Sequence, residues 1–93
     1  MKKTIQQRAE NALKKGNVLR ISYTSKRAET TEREVEPIGL IYYARYWHLI
    51  GFCRIRNDYR DFRMDKIEKL VIMRKKVKPF RLTIERYIEK YAA

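Results

Sequence analysis

The chain is short of several things, and each shortage closes a possibility. It has one cysteine, Cys53, so no disulfide can form within it. Its one histidine, His48, together with that cysteine cannot supply the four ligands of a structural zinc site. No segment approaches the roughly 18 consecutive apolar residues of a membrane span. The basic start, "MKKTIQQRAENALKKG", lacks the apolar core of a signal peptide. There is no Gly/Ser linker, low-complexity tract or internal repeat. These absences lead us to expect a cytoplasmic protein with no membrane partner and no cofactor. Acidic residues are scarce as well. Eleven Asp and Glu oppose 23 Lys and Arg, for a net charge of +12. That excess carries self-repulsion and usually reflects an anionic partner, most commonly nucleic acid. The plainer reading is a Lys-rich soluble surface.

What is present suits one folded domain, residues 1–93. The hydrophobic fraction, 44%, is ordinary for a globular chain. The spacing predicts a helix over Thr4 to Lys15, with Thr4 and Gln7 as a capping box and Gly16 ending it. From Val18 the period changes. Leu19, Ile21 and Tyr23 alternate with Arg20, Ser22 and Thr24, as on a half-buried strand. Ser25 to Thr31 reads as a loop. Arg33 to Tyr43 reads as a second strand, with Pro37 at an edge or bulge. Tyr46 to Ile55 is a third strand, Arg60 to Met64 a fourth and Glu68 to Met73 a fifth. Asn57-Asp58 marks a turn. Thr83 can cap a last helix, on which Ile84, Tyr87, Ile88 and Tyr91 share a face. Helix, five short strands, helix predicts a mainly β fold, a strongly bent sheet that closes into a small barrel with the helices over its ends.

One stretch concentrates the charge. "YWHLIGFCRIRNDYRDFRMDKI", residues 46 to 67, begins as a buried strand and then carries Arg54, Arg56, Arg60 and Arg63 with aspartates between them. Arginine suits phosphate because its planar fork pairs two oxygens at once, and it stacks on bases. The alternative is that Asp58, Asp61 and Asp65 merely neutralise these arginines in surface ion pairs.

This stretch resembles the WYL domain of bacterial regulators, named for a Trp-Tyr-Leu tripeptide. Trp47-His48-Leu49 stands at the tripeptide. Cys53-Arg54-Ile55-Arg56, Arg60-Asp61-Phe62-Arg63 and Asp65-Lys66-Ile67 match the stretches that typically follow it. Upstream, "RISYTS" and "REVEPIGL" look like the family's first two strands. The resemblance covers roughly residues 8 to 82. It implies a five-stranded Sm-like barrel that binds a negatively charged ligand, either single-stranded nucleic acid or a nucleotide-type effector. Many relatives sit behind a winged helix-turn-helix. The chain has no room for one, so it is expected to stand alone or to be a domain of a longer protein. Two positions depart from the pattern. His48 replaces tyrosine, and Lys66 replaces an arginine and so offers a point charge without the bidentate fork.

The expected site is a basic groove from the third and fourth strands. Arg54, Arg56 and Arg63 would hold phosphate, supported by Arg60 and Lys66, with His48 and Ser22 as polar neighbours. Strict alternation puts Arg60 and Arg63 on opposite strand faces, which ranks Arg60 last among the arginines. Trp47 could be a stacking platform but is expected in the core. His48 is read as a ligand contact or a surface residue, Cys53 as a small buried hydrophobe. Tyr23, Tyr42, Tyr43 and Tyr46 could rim a pocket or simply pack. The run "RKKVKPFR" is a second phosphate-tracking patch or a linker to the last helix. The reading is a binding module that regulates transcription or a nucleic-acid-processing system, and not an enzyme. The alternative is a protein-interaction or homodimerisation module whose basic surface is incidental.

Overall fold

Thr4 starts the first helix by the reciprocal bonds its sequence promises. Its hydroxyl accepts the Gln7 N–H at 3.0 Å, and the Gln7 side chain accepts the Thr4 N–H at 2.8 Å. Helix α1 spans Ile5–Lys15. Gly16 ends it at φ 69°, a left-handed conformation that glycine adopts without steric cost. These details come from a computed structural model, which describes residues 3–25 and 27–91.

Five strands follow: β1 (Asn17–Thr24), β2 (Thr30–Tyr43), β3 (Tyr46–Cys53), β4 (Asp58–Arg63) and β5 (Ile67–Lys76), then helix α2 (Ile84–Tyr91). All pairings are antiparallel, in the order β4-β3-β2-β1-β5. Pro37 sits in the middle strand of the sheet, where a missing N–H would ordinarily break the ladder. The register shift between Pro37 and Gly39 absorbs it, as a bulge does. Several boundaries differ from expectation: β2 begins at Thr30, within the expected loop, β3 ends at Cys53 rather than Ile55, and β4 spans Asp58–Arg63. A single 3-10 turn, Met64–Lys66, separates β4 from β5. Strand β5 runs on to Lys76, so the first part of "RKKVKPFR" is sheet rather than linker.

The closed barrel is not formed. No ladder joins β4 to β5, and both remain edge strands. The sheet is nevertheless strongly curled. The outer strands of a flat five-stranded sheet would stand about 19 Å apart. The three-residue turn that links them, four Cα steps from Arg63 to Ile67, reaches about 14 Å at most. The end of β4 and the start of β5 must therefore meet at one corner.

One face of the curl holds the core: Leu19, Ile21, Val35, Leu49, Cys53, Phe62, Ile67 and Leu70, with Ala9 and Ala12 of α1 packed onto it. Helix α1 lies against β1, β2 and β5. The other face, over β2 to β4, is covered by the C-terminal segment. Ile84 of α2 enters a notch at Gly39, where any Cβ would meet its side chain at 2.7 Å. The helices thus cover opposite faces of the sheet, not the two ends of a barrel. With both faces of β3 covered, His48 through Cys53 are all buried.

Candidate nucleic-acid interface

The arginines of residues 54 to 63 fall into two environments. Strand β2 carries Glu34 and Glu36 on its outer face. Arg54 follows β3 and donates its backbone N–H to the Glu34 carbonyl at 3.0 Å. Its guanidinium reaches Glu34 at 3.0 Å and Glu36 at 3.3 Å. Glu36 is fully buried, and it also accepts two bonds from Arg81, at 2.9 and 3.1 Å, and the Lys78 N–H at 2.8 Å. Arg20 and Lys75 complete the cluster on Glu34, at 3.6 and 3.5 Å. Burial pushes both carboxyls up, but the hydrogen bonds and positive charges around them outweigh it. Each titrates below its ordinary value, Glu34 mainly through Lys75 and Arg54, Glu36 mainly through Arg81 and Lys78. Arg54 thus ties β3 to β2, and its charge is already matched.

Arg56, Arg60 and Lys66 differ. Among the described residues none makes an ion pair. Arg56 is exposed in the turn between β3 and β4, where Asn57 takes a left-handed φ of 54°. Arg60 is exposed on β4 opposite Gly51, and Lys66 is half-buried in the 3-10 turn. Arg63 ends β4. Its guanidinium donates twice to Asp65, at 2.7 and 3.0 Å, and lies 3.6 Å over the Tyr46 ring. The bond to Asp65 raises the Arg63 pKa and lowers that of Asp65.

Alternation does put Arg60 and Arg63 on opposite faces of β4. But β4 is the edge of the sheet, and both faces border the same open side. Residues pointing either way can therefore reach one ligand lying along that edge. The six residues of β4 span about 17 Å at roughly 3.4 Å per residue. Arg56, Arg60, Arg63 and Lys66 are therefore strung out along that edge rather than gathered around one point.

At the Arg63 end the β2–β3 hairpin projects past the core. Ala44 and Arg45 turn it with φ of 49° and 73°, the left-handed pair a two-residue hairpin loop needs, here without glycine. Around the turn Tyr42, Tyr43, Tyr46 and Trp47 are 58, 44, 40 and 42% exposed. Trp47 was expected in the core and is not there. It shares the core face with Leu49, but at the strand tip, beyond the last core layer, where it meets Tyr42 edge-on at 5.5 Å. Its neighbour is reversed too. His48, read as a ligand contact or surface residue, is 5% exposed, stacked 3.9 Å from the Tyr43 ring and bonded through Nδ1 to the Tyr46 carbonyl. It supports the aromatic tip from behind. Ser22 lies on β1 opposite Glu32 and Lys69, away from β4, so the structure does not bring it to the other site residues. Sequence reasoning undervalued the aromatic tip because alternation indicates which face a side chain takes but not where the core ends. Cys53 is buried in the core as expected.

The comparisons with known proteins agree with one another. Residues 4–72 match the WYL domain family. The chain is 34% identical over 71 residues to the uncharacterized HTH-type transcriptional regulator YobV of Bacillus subtilis, covering 76% of this chain and 23% of that protein. It is 40% identical over 58 residues to protein PafB of Mycobacterium tuberculosis, covering 61% and 18% respectively. Among solved structures it is similar to proteasome accessory factor B/C (PafBC) of Arthrobacter aurescens. The TM-score is 0.74 and the identity 31%, over 80% of this chain and 12% of that one. The chain spans less than a quarter of the length of the relatives it matches.

Proposed function

The chain belongs to the WYL domain family, and on that premise we propose that it is a regulatory sensing module that binds single-stranded nucleic acid or a nucleotide-type effector. The ligand runs along the open edge of β4. Arg56, Arg60, Arg63 and Lys66 pair with phosphates, and the tip aromatics Tyr42, Tyr46 and Trp47 stack on unpaired bases. Arg54 is left out of the contact set, since Glu34 and Glu36 already hold it. The curled sheet is read as an Sm-like barrel without its closing ladder, an arrangement that leaves the β4 edge free. The module binds and does not catalyse, and it acts on transcription or on a nucleic-acid-processing system.

The observation that carries this reading is the continuity of two features. Arg56, Arg60 and Lys66, which make no ion pair among the described residues, flank Arg63, which Asp65 holds over the Tyr46 ring, and this basic row leads into four exposed aromatic rings. Positive groove and stacking platform together are what sequence-tolerant single-strand binding requires. Fluorescence anisotropy with short labelled single-stranded and duplex oligonucleotides tests it. Four phosphate contacts predict a slope of log affinity against log salt of about −2.8, from roughly 0.7 per contact on a single strand. Absence of binding, together with a concentration-dependent dimer in ultracentrifugation, would favour the protein-interaction alternative instead.

A further inference from the structure

Beside the basic edge, on the outer face of the sheet, an open cavity of about 440 Å³ lies under α2. Ile41 and Ile50 form its floor, and Tyr43, Tyr87 and Tyr91 stand around it. One carboxylate, that of Asp61, lines it.

Asp61 is flanked along β4 by Arg60 and Arg63, in a chain of net charge +12, yet it makes no ion pair among the described residues. Arg63 turns instead to Asp65. The partner Asp61 does have is the Tyr43 hydroxyl, which donates to one carboxylate oxygen. That bond, with burial, pushes the Tyr43 hydroxyl up to about 12, so it stays a donor and holds the carboxylate in place. A carboxylate offers about four acceptor positions, and one bond leaves capacity for more. The cavity therefore presents acceptors on one side, aromatic rings on others and an aliphatic floor. The acceptors call for N–H donors, and the rings call for a flat face. The strong positive field disfavours a simple organic cation and favours a donor-bearing ring attached to an anion.

We propose that this cavity takes a guanine base, whose adjacent imino and amino N–H groups donate to Asp61 while its ring lies against Tyr87 and Tyr91. The inference rests on the nucleic-acid reading above and names the base which that reading leaves open. Guanine carries two such donors side by side on one edge, as a carboxylate fork requires. Adenine and cytosine offer the amino group alone, and uracil and thymine the imino group alone. The cavity is of a size for one bicyclic base, near the lower end of ligand pockets. Arg63 sits two residues along β4 on the same face, so the phosphate of the same nucleotide would meet the basic edge.

The test uses the whole chain and labelled single strands of eight thymines, with one central thymine replaced by guanine, hypoxanthine or adenine. Affinity is read by anisotropy. The guanine strand should bind about tenfold tighter than the all-thymine strand, because hydrogen bonds to a charged acceptor are worth that much or more. Hypoxanthine, which lacks the amino group, should fall between guanine and adenine. Asp61→Asn should remove the guanine advantage and leave the all-thymine affinity unchanged or slightly raised. Tyr91→Ala, at an exposed position, should reduce the advantage without affecting the fold. If all strands bind alike with a normal salt dependence, the base site is wrong and the basic edge stands. A guanine advantage that survives Asp61→Asn also overturns it. If no strand binds, both readings fail.

Discussion

Arg54 and Arg56 are two residues apart, yet one is an internal tie and the other a free charge. The difference lies in strand β2. Its outer face carries Glu34 and Glu36, and these two carboxylates gather Arg20, Arg54, Lys75 and Arg81. The β4 edge lies one strand beyond β3, and its acids leave Arg56, Arg60 and Lys66 without an ion pair among the described residues. Asp65 holds Arg63 in front of an aromatic ring, and Asp61 turns to Tyr43. A net charge of +12 therefore says little about where an anion binds. What matters is which cations the fold has already matched. On the β2 side the basic residues hold the C-terminal segment onto the sheet. On the β4 side they face solvent beside exposed rings.

The largest expected effect breaks the β2 side. Glu36 is fully buried and bonded by Arg54, Arg81 and the Lys78 N–H. Glu36→Ala leaves those donors facing an empty site. Removing one partner of a buried ion pair costs about 3 to 5 kcal/mol. Arg54 and Arg81 retain some access to water, which places the expected loss near 3 kcal/mol, read from urea unfolding. Loss of less than about 1 kcal/mol, the scale of a surface pair, would mean that the cluster is not structural.

Next comes the aromatic tip. Tyr46→Ala and Trp47→Ala should each weaken single-strand binding by about 1 to 3 kcal/mol, the usual worth of a base stacked on a ring. Both side chains are exposed, so the unfolding midpoint should barely move. A large loss of stability with binding intact would return Trp47 to the core role that its sequence suggested.

Acid should separate the two sides more gently. Glu34 and Glu36 titrate below their ordinary value of 4.5 in the folded chain. Groups with depressed folded values contribute stability above their unfolded pKa and lose it as pH falls through the folded one. Stability should therefore hold above about pH 5 and decline as the pH drops below 4.5. Glu36→Gln should flatten that decline. An equally steep acid limb in the variant would place the pH sensitivity elsewhere.

Much of this was legible in the sequence. The Thr4–Gln7 box, the change of period after Gly16, the bulge at Pro37 and the Thr83 cap, whose hydroxyl accepts the Arg86 N–H at 3.2 Å, each follow from short-range chemistry. What was not legible depends on contacts far apart in the chain. Glu36 meets Arg81 across 45 residues, and nothing local marks either as a partner. Lys76, which composition offers as a patch residue, instead bonds the Lys15 carbonyl at 3.0 Å and Asn17 at 2.9 Å, closing the end of α1. Alternation separates Arg60 from Arg63, a valid rule that loses its force because β4 is an edge strand. Trp47 and His48 exchange their expected burial because β3 is covered on both faces from His48 onward and extends beyond the core only at Tyr46 and Trp47.

The central claim is that β2 divides the arginines into structural and ligand-facing groups. The most direct measurement compares Arg54→Ala with Arg60→Ala, by salt titration of single-strand affinity and by urea unfolding of each. Arg60→Ala should reduce the salt slope by about 0.7, one lost phosphate contact, with its unfolding midpoint unchanged. Arg54→Ala should keep the slope and lower the midpoint, since Glu34 and Glu36 lose a shared partner. Equal loss of slope in both variants, or loss of slope in Arg54→Ala alone, would contradict the division.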